Sequence, residues 1–193
     1  MSTHAKAAAK FLADRERAAW HDRALFHVRE KRDRMAHAVP EWEALRQAAS
    51  EIKLHTLSHL GRYLEEFERN ATANGMVVHW ASDAREMNRI VLDILRRHGG
   101  RTLIKSKSML SEECGLAPFL AGQGIDAVES DLGERIMQLM HRPPSHIVLP
   151  AIHVRREEVG ELFERELGTA RGDSDPTYLT HEARKHLRGK FLT

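Results

Sequence analysis

The chain has 193 residues and a formal net charge of only +2. That length is enough for one domain with a sizeable core. The near balance of charge argues against a nucleic-acid-binding protein and against one that binds anionic membranes. An apolar fraction of 41% and a charged fraction of 30% are typical of a globular chain and exclude an intrinsically disordered one.

A single cysteine, Cys114, occurs in the chain. One thiol cannot form an internal disulfide, and it cannot supply the thiolates of an iron–sulfur cluster. The flanking Glu112 and Glu113 disfavour a thiolate, so we interpret Cys114 as an inert thiol. We therefore predict a cytoplasmic protein with no cofactor held by this chain. No apolar run approaches the ~18 residues of a membrane span, so we predict none.

The first 40 residues are predicted to form a charged helical segment, because residues 5–39 lack glycine and proline and carry few apolar side chains. After Pro40 a second helix is predicted over residues 41–72, with apolar residues at three- and four-residue steps that indicate a buried stripe. Asn74-Gly75 is expected to end this helix. We assign residues 41–193 to one α/β domain.

Short apolar runs then alternate with helical segments. The runs predict four strands, MVVHW (76–80), TLIKS (102–106), DAVES (126–130) and HIVLP (146–150). A last helix is predicted after Pro176. This alternation predicts an α/β fold with a mostly parallel sheet and flanking helices.

Ligands of open parallel sheets bind beyond the carboxyl ends of the strands. At these ends the last three predicted strands place Lys105, Ser106, Lys107, Ser108, Asp131, Glu134 and His153. Ammonium groups, hydroxyls and free backbone N–H groups at a helix start favour a negatively charged ligand. The candidate ligand-binding residues are therefore those after the second and third strands, and His153 is the candidate general base.

Each of these residues also has a structural interpretation. The Lys/Ser stretch could be a solvated turn in which Ser111 caps the helix and the lysines point outward. Asp131 with Glu134 three residues later makes a start that resembles a capping box. These two carboxylates and His153 could instead bind a divalent metal, but their spacing is not specific, and we predict no metal site.

Three stretches resemble a known family: KSKSMLSEECGL (105–116), GIDAVESDLGERIMQLMHRPPSHIVLPAIHVRREEVGELF (124–163) and EARKHLRGKFL (182–192). They are similar to the amino-terminal part of the lactate-utilisation iron–sulfur proteins, the lactate utilisation protein B family. The resemblance extends from about residue 23 onward. It implies a LUD-type domain similar in fold to the ribose-phosphate isomerases and CoA transferases.

The resemblance also implies a cytoplasmic oxidoreductase subunit that acts with other lactate-utilisation subunits to oxidise L-lactate to pyruvate. Family members are expected to carry two 4Fe-4S clusters in a cysteine-rich C-terminal region, which is absent here. This chain alone is then expected to lack a redox centre and to be inactive. The ligand at the strand ends would be a small carboxylate or a phosphorylated compound.

The alternative is a non-catalytic assembly module of the same complex, with the charged N-terminal helix docked on partner subunits. A homo-oligomer is a further expectation, because an incomplete sheet would expose an unpaired strand edge.

Overall fold

The computed structural model of the protein describes residues 3–192. The chain divides into two compact units. The N-terminal unit ends at Trp80, and the α/β unit begins at Ala81. The domain boundary predicted at residue 40 stays a prediction.

The N-terminal unit is helical throughout its described length, apart from short connections. Its helices are α1 (Thr3–Ala13), α2 (Arg15–His37), α3 (Trp42–Ser58) and α4 (Leu60–Ala73). The first predicted helix is interrupted at Asp14, whose side chain accepts the N–H of Arg17 at 3.0 Å and so restarts the chain as α2. The second predicted helix is interrupted at His59. No helix within residues 3–192 combines the length and the apolar content needed to cross a membrane.

The predicted burial of a stripe on residues 41–72 is wrong. Among the described residues none in α3 is buried, and Ala71 is the buried residue of α4. Leu45 and Ile52, two members of that stripe, remain 52% and 66% exposed. Helical spacing shows that apolar residues share a face, whereas burial also needs a second element packed over that face.

The first predicted strand, 76–80, is not a strand in the structure. Gly75 ends α4 as predicted, with a φ of +81°. The chain then turns back, and the indole N–H of Trp80 donates to Glu68 at 2.8 Å. The side chain of Val77 is 78% exposed. An extended apolar run forms a strand only where a neighbouring strand takes up its backbone hydrogen bonds.

The α/β unit contains the parallel sheet. Its elements are α5 (Ala84–Arg97), β1 (Thr102–Lys105), α6 (Met109–Glu113), α7 (Leu116–Ala121), β2 (Asp126–Glu129), α8 (Leu132–Leu139), α9 (Arg156–Leu167) and α10 (Pro176–Phe191). β1 and β2 pair in parallel, from Thr102 opposite Asp126 to Lys105 opposite Glu129. The predicted α/β class, a small parallel sheet flanked by helices, is confirmed.

Two clusters of buried side chains hold the α/β unit together. The first joins α5, α7 and β2 through Leu92, Leu116, Leu120, Ile125 and Ala127. The second joins α8, α9 and α10 through Ile136, Leu162, Phe163, Leu179 and Ala183. The first cluster includes β2 and the second includes α8, and only residues 130–131 separate these two elements. The clusters therefore hold the end of β2 beside the start of α8.

The fourth predicted strand, 146–150, is a turn. The backbone N–H of Ser145 donates to the carbonyl of Pro150 at 3.1 Å, which closes the segment on itself. His146 Nδ1 accepts two further backbone N–H groups at 3.0 Å each. Ile147 is 62% exposed. Prolines before and at the end of the run remove ladder donors, which favours this closed turn over a strand.

Gly160 on α9 tests how closely the loop between α9 and α10 packs against α9. A Cβ added there would lie 2.5 Å from the carbonyl oxygen of Asp173, in the loop between α9 and α10. Gly160→Ala should therefore destabilise the protein by about 1–3 kcal/mol, because the loop must move. Gly189→Ala is the matched control on α10, with nothing within 4 Å of its Cβ.

The control should be neutral or stabilising by up to ~1 kcal/mol, because alanine is the better helix former. Urea unfolding followed by circular dichroism measures both variants. Equal stabilisation by the two substitutions would contradict the close approach of the loop to α9.

Candidate functional site

Two opposite charges lie side by side at the carboxyl end of the sheet. Lys105 and Glu129 are the last residues of β1 and β2 and are opposite each other in the register. The Lys105 ammonium forms an ion pair with Glu129 Oε1, and the two side chains are 11% and 8% exposed. Ser130 donates both its N–H and its hydroxyl to the carbonyl of Lys105 at 2.9 Å. The sheet thus ends in a buried ion pair whose backbone is fixed.

Gln138 of α8 fastens that strand end to the following helix. Its side-chain oxygen accepts the N–H of Glu129 at 3.2 Å, and its amide donates to the carbonyl of Ala127 at 2.5 Å. Arg135 donates to the same Gln138 oxygen at 2.5 Å and to His186 Nε2 at 3.0 Å. Burial, together with the Arg135 charge, lowers the pKa of His186, which favours the neutral ring that accepts this bond.

A second ion pair lies beside the first. Lys107 donates to Glu134 Oε1 at 2.7 Å and lies 3.7 Å from Asp131 Oδ1. Asp131 in turn accepts the N–H of Glu134 at 3.1 Å and caps α8. Partial burial alone would lower the pKa of Lys107, but the bond to Glu134 and the charge of Asp131 outweigh it and raise that pKa. Lys107 therefore stays charged and neutralises the buried Glu134.

Glu112 on α6 is a further carboxyl of this cluster. The pKa of Glu112 is raised. Burial is the largest cause, and the charge of the neighbouring Glu134 carboxylate is the second. Lys105 acts in the opposite direction, but more weakly. A carboxyl that holds its proton more tightly than usual can act as a hydrogen-bond donor over a wider range of pH.

These side chains line a cleft of about 520 Å³, named here the Lys105 cleft. Its charged and amide-bearing lining includes Lys105, Glu112, Glu129, Glu134, Gln138 and Arg142. Such a volume suits a small molecule, and the cationic side chains of Lys105 and Arg142 can attract an anionic group of that molecule. The carboxyl groups can exchange hydrogen bonds or protons with the remainder of that molecule.

The structure brings together four of the residues predicted from sequence. Lys105 and Glu134 line the cleft, and Lys107 and Asp131 adjoin it through Glu134. Both lysines form ion pairs with carboxylates, so the alternative in which they point freely into solvent is wrong.

The two predicted serines do not line the cleft. Ser108 is the N-cap of α6 and accepts the N–H of Ser111 at 3.3 Å. The predicted cap, Ser111, is instead buried within the first turn and donates back to the carbonyl of Ser108 at 2.8 Å. Ser106 is exposed.

His153 lies apart from these residues. It is buried, and its Nδ1 is 2.6 Å from the hydroxyl of Ser145. The expectation that a fourth strand delivers His153 to the same edge fails, because residues 146–150 form a turn. Within residues 3–192 no group of three or more histidine, cysteine, aspartate or glutamate side chains is placed to hold a metal ion. The metal-binding alternative for Asp131, Glu134 and His153 therefore gains no support.

Sequence reasoning missed Glu129, Glu112, Gln138 and Arg142 as lining residues. Glu129 belongs to the predicted strand DAVES, and a charged residue near the end of an apolar run is itself a signal of a polar site. The parallel alignment of TLIK with DAVE places it opposite Lys105, so the pairing could be found by setting the two strands in register. Glu112 and Arg142 come from a helix and a turn whose approach to the cleft depends on tertiary packing.

Glu112 gives a prediction about pH. Its pKa is raised above the ordinary 4.5 in the folded protein, so the folded state binds this proton more tightly than the unfolded state does. The free energy of unfolding should then fall as pH rises from about 4.5 through the raised folded pKa. Glu112→Gln removes this loss, so its stability advantage over the wild type should grow across that interval and then level off.

Urea unfolding between about pH 4 and about pH 8 measures the effect, because this range covers the titration of glutamates. The matched control is Glu113→Gln, which changes the exposed neighbouring residue. A Glu112→Gln advantage that does not grow with pH, or an equal one for Glu113→Gln, would contradict the raised pKa.

The LUD domain model matches residues 64–193. Lactate utilization protein B of an Exiguobacterium species is 42% identical over 165 residues, and that of Macrococcus caseolyticus is 38% identical over 167 residues. An uncharacterized electron transport protein, YkgF of Escherichia coli, is 37% identical over 162 residues.

These alignments cover 86%, 86% and 84% of this chain but only 35%, 35% and 34% of the relatives. The chain thus spans about a third of the length of the curated relatives it matches. No solved structure matches it. The resemblance found from sequence motifs is confirmed by the domain match, which covers more than half of the chain. The chain belongs to the LUD-domain family, together with the lactate utilization protein B sequences.

Proposed function

We propose that this chain is the amino-terminal α/β portion of a cytoplasmic lactate-utilisation oxidoreductase subunit, and that its Lys105 cleft binds a small carboxylate. The observation that supports binding is the buried ammonium group of Lys105 at a strand end, on the wall of a cleft of about 520 Å³. The similarity to proteins named lactate utilization protein B supports the metabolic role. In this proposal the assembled enzyme oxidises L-lactate to pyruvate with partner subunits.

The chemistry of the cleft suits the binding part of this task. Lys105 and Arg142 would neutralise the carboxylate of the ligand, since charge-assisted hydrogen bonds are the strong ones. Oxidation of a 2-hydroxy acid releases two electrons and two protons. Glu129 and Glu134 lie in the cleft and could accept a proton, whereas His153 is bonded to Ser145 and is not part of the lining.

The electrons need an acceptor from outside this chain. A 4Fe-4S cluster takes four cysteine thiolates, and the sequence has one cysteine. The two clusters expected from the family resemblance therefore do not fit this chain, and we assign them to another part of the complex.

The binding proposal predicts saturable titration of the chain by lactate or pyruvate, measured by calorimetry. Removal of Lys105 alone would leave Glu129 buried without its partner, at a cost on the order of 3 kcal/mol. We therefore choose Lys105→Met/Glu129→Gln, which removes both charges together. This variant should bind at least about tenfold more weakly, because the charged contact to the carboxylate is lost.

The matched control removes a lysine–glutamate ion pair outside the cleft. Lys185→Met/Glu182→Gln changes a pair on α10 with 3.8 Å between its charged atoms, whose lysine is 73% exposed. Its binding should equal that of the wild type. Undetectable binding of both compounds by the folded wild-type chain would overturn the proposal, and so would equal binding by the Lys105→Met/Glu129→Gln variant.

A second candidate function is assembly, and the exposed apolar face of α3 and α4 favours it. Leu45, Ile52, Leu60 and Phe67 are between 42% and 66% exposed. Exposed apolar groups in such number along one helical stretch are typical of surfaces that bind another protein. The occupant would be a partner subunit of the lactate-utilisation complex.

Co-purification with co-expressed partner subunits tests this role. Leu45→Lys/Ile52→Lys changes two residues seven positions apart on the same side of α3. It should reduce recovery of the complex about tenfold or more, because two charges would be buried at the contact. Gln47→Lys, on the exposed polar side of α3, is the control and should change little. Full recovery with the double variant would exclude this face from assembly.

A further inference from the structure

The cleft contains one buried acceptor that the protein leaves without a donor. Glu129 Oε1 is paired with Lys105, but within residues 3–192 no hydrogen-bond donor reaches Glu129 Oε2. The residue is 6% exposed. Buried carboxylate oxygens normally accept at least one hydrogen bond, because they have lost their contact with water.

This oxygen differs from the other unsatisfied ones by its position. Among the described residues, the remaining buried side-chain oxygens without a partner are Asn88 Oδ1 and Thr169 Oγ1. Neither residue lines the Lys105 cleft, whereas Glu129 does. The second buried carboxylate of the cleft, Glu134, already accepts a hydrogen bond from Lys107 at 2.7 Å. Glu129 therefore stands out as the carboxylate with a hydrogen bond still to accept from a ligand.

The pairing with Lys105 keeps this carboxylate in place. Both strand ends are fixed in position. The parallel register aligns them, Gln138 accepts the N–H of Glu129, and Ser130 donates to the carbonyl of Lys105. A ligand that enters the cleft thus meets an ammonium group and a carboxylate at adjacent, fixed positions. Fixed polar groups discriminate between ligands more strongly than mobile ones, because they cannot move to accommodate the wrong partner.

We infer that Glu129 is a specificity-determining residue that makes the Lys105 cleft prefer small 2-hydroxy acids over the corresponding 2-keto acids. The inference rests on the proposed binding of a carboxylate beside Lys105. The 2-hydroxyl group donates a hydrogen bond to Glu129 Oε2 while the ligand carboxylate lies against the ammonium. A 2-keto group has only acceptor oxygens, so it leaves Oε2 unsatisfied and places two oxygens with negative charge density face to face.

This role has a consequence for turnover. Oxidation of the hydroxyl removes the donor that Glu129 recognises, so the cleft holds the product less tightly than the substrate. Glu129 would then aid release of the keto acid.

The test is a pair of titrations with lactate and pyruvate, which differ by this donor. The wild-type chain should bind lactate at least about tenfold more tightly than pyruvate, the ratio expected from one hydrogen bond to a charged group. Glu129→Gln retains the size of the side chain but can donate to a keto oxygen. It should reduce the preference to less than about threefold and should strengthen pyruvate binding, since Lys105 loses its competing carboxylate.

Glu182→Gln is the control, because it removes a carboxylate of an ion pair on α10, outside the cleft, and should leave the lactate preference unchanged. A measurement on the wild type guards against a misfolded variant. In protein labelled with ¹³C-glutamate, lactate should shift the side-chain carboxyl resonance of Glu129 more than pyruvate does.

The outcomes separate the two proposals. Binding of both compounds without a preference, or a preference that Glu129→Gln retains, overturns the role of Glu129 and leaves carboxylate binding intact. Equal shifts of the Glu129 resonance with both compounds overturn the role as well. Absence of binding by the wild type overturns the proposed function, and the inference with it.

Discussion

The ion pair between Lys105 and Glu129 is the constraint on which the rest of the site depends. Two unit charges at the end of a two-stranded sheet are costly to bury unless they face each other. A shift of the register by one residue would send one of the side chains to the opposite face of the sheet and separate the charges. The parallel register and the ion pair therefore stabilise each other, and the ion pair forms part of the wall of the Lys105 cleft.

The surrounding polar contacts follow from the same requirement. Ser130 bonds the carbonyl of Lys105, and Gln138 bonds the N–H of Glu129 and ties α8 to β2. Lys107 and Glu134 then form a second pair beside the first. The placement of these groups next to one another leaves Glu112 near other carboxylates, and its pKa is raised first by burial and then by that crowding.

The sequence predicted best where a local pattern and its partner were both within the chain. TLIK and DAVE form β1 and β2 because each supplies the other with backbone hydrogen bonds. The runs at 76–80 and 146–150 are also short and rich in apolar residues, but no strand pairs with them in the described chain. Residues 76–80 are therefore irregular, and residues 146–150 form a closed turn. Apolar content alone cannot distinguish these cases, since pairing depends on tertiary arrangement.

Predictions of single site residues were also correct where the strand that carries them pairs with another strand. The edge of the sheet and the roles of Lys105 and Glu134 as neighbours were predictable from the strand-end geometry. His153 was misplaced because its position relied on a strand that is absent, and Arg142 was missed because it reaches the cleft from the turn after α8. The family was identified correctly from the sequence, because the resemblance rested on long motifs. Such motifs do not depend on the assignment of any one strand.

The presence of a buried ion pair at this position also needs a reason beyond stability. Well-packed apolar residues of similar volume are often as stabilising as a buried ion pair, or more so. The sequence nevertheless places a lysine and a glutamate at the ends of two strands whose preceding residues, LI and AV, are apolar. One oxygen of that glutamate is left without a donor, which adds a further cost. A site that accepts these costs is best explained by a ligand that satisfies them, which is why recognition of a carboxylate with a neighbouring hydroxyl accounts for the pair better than stability does.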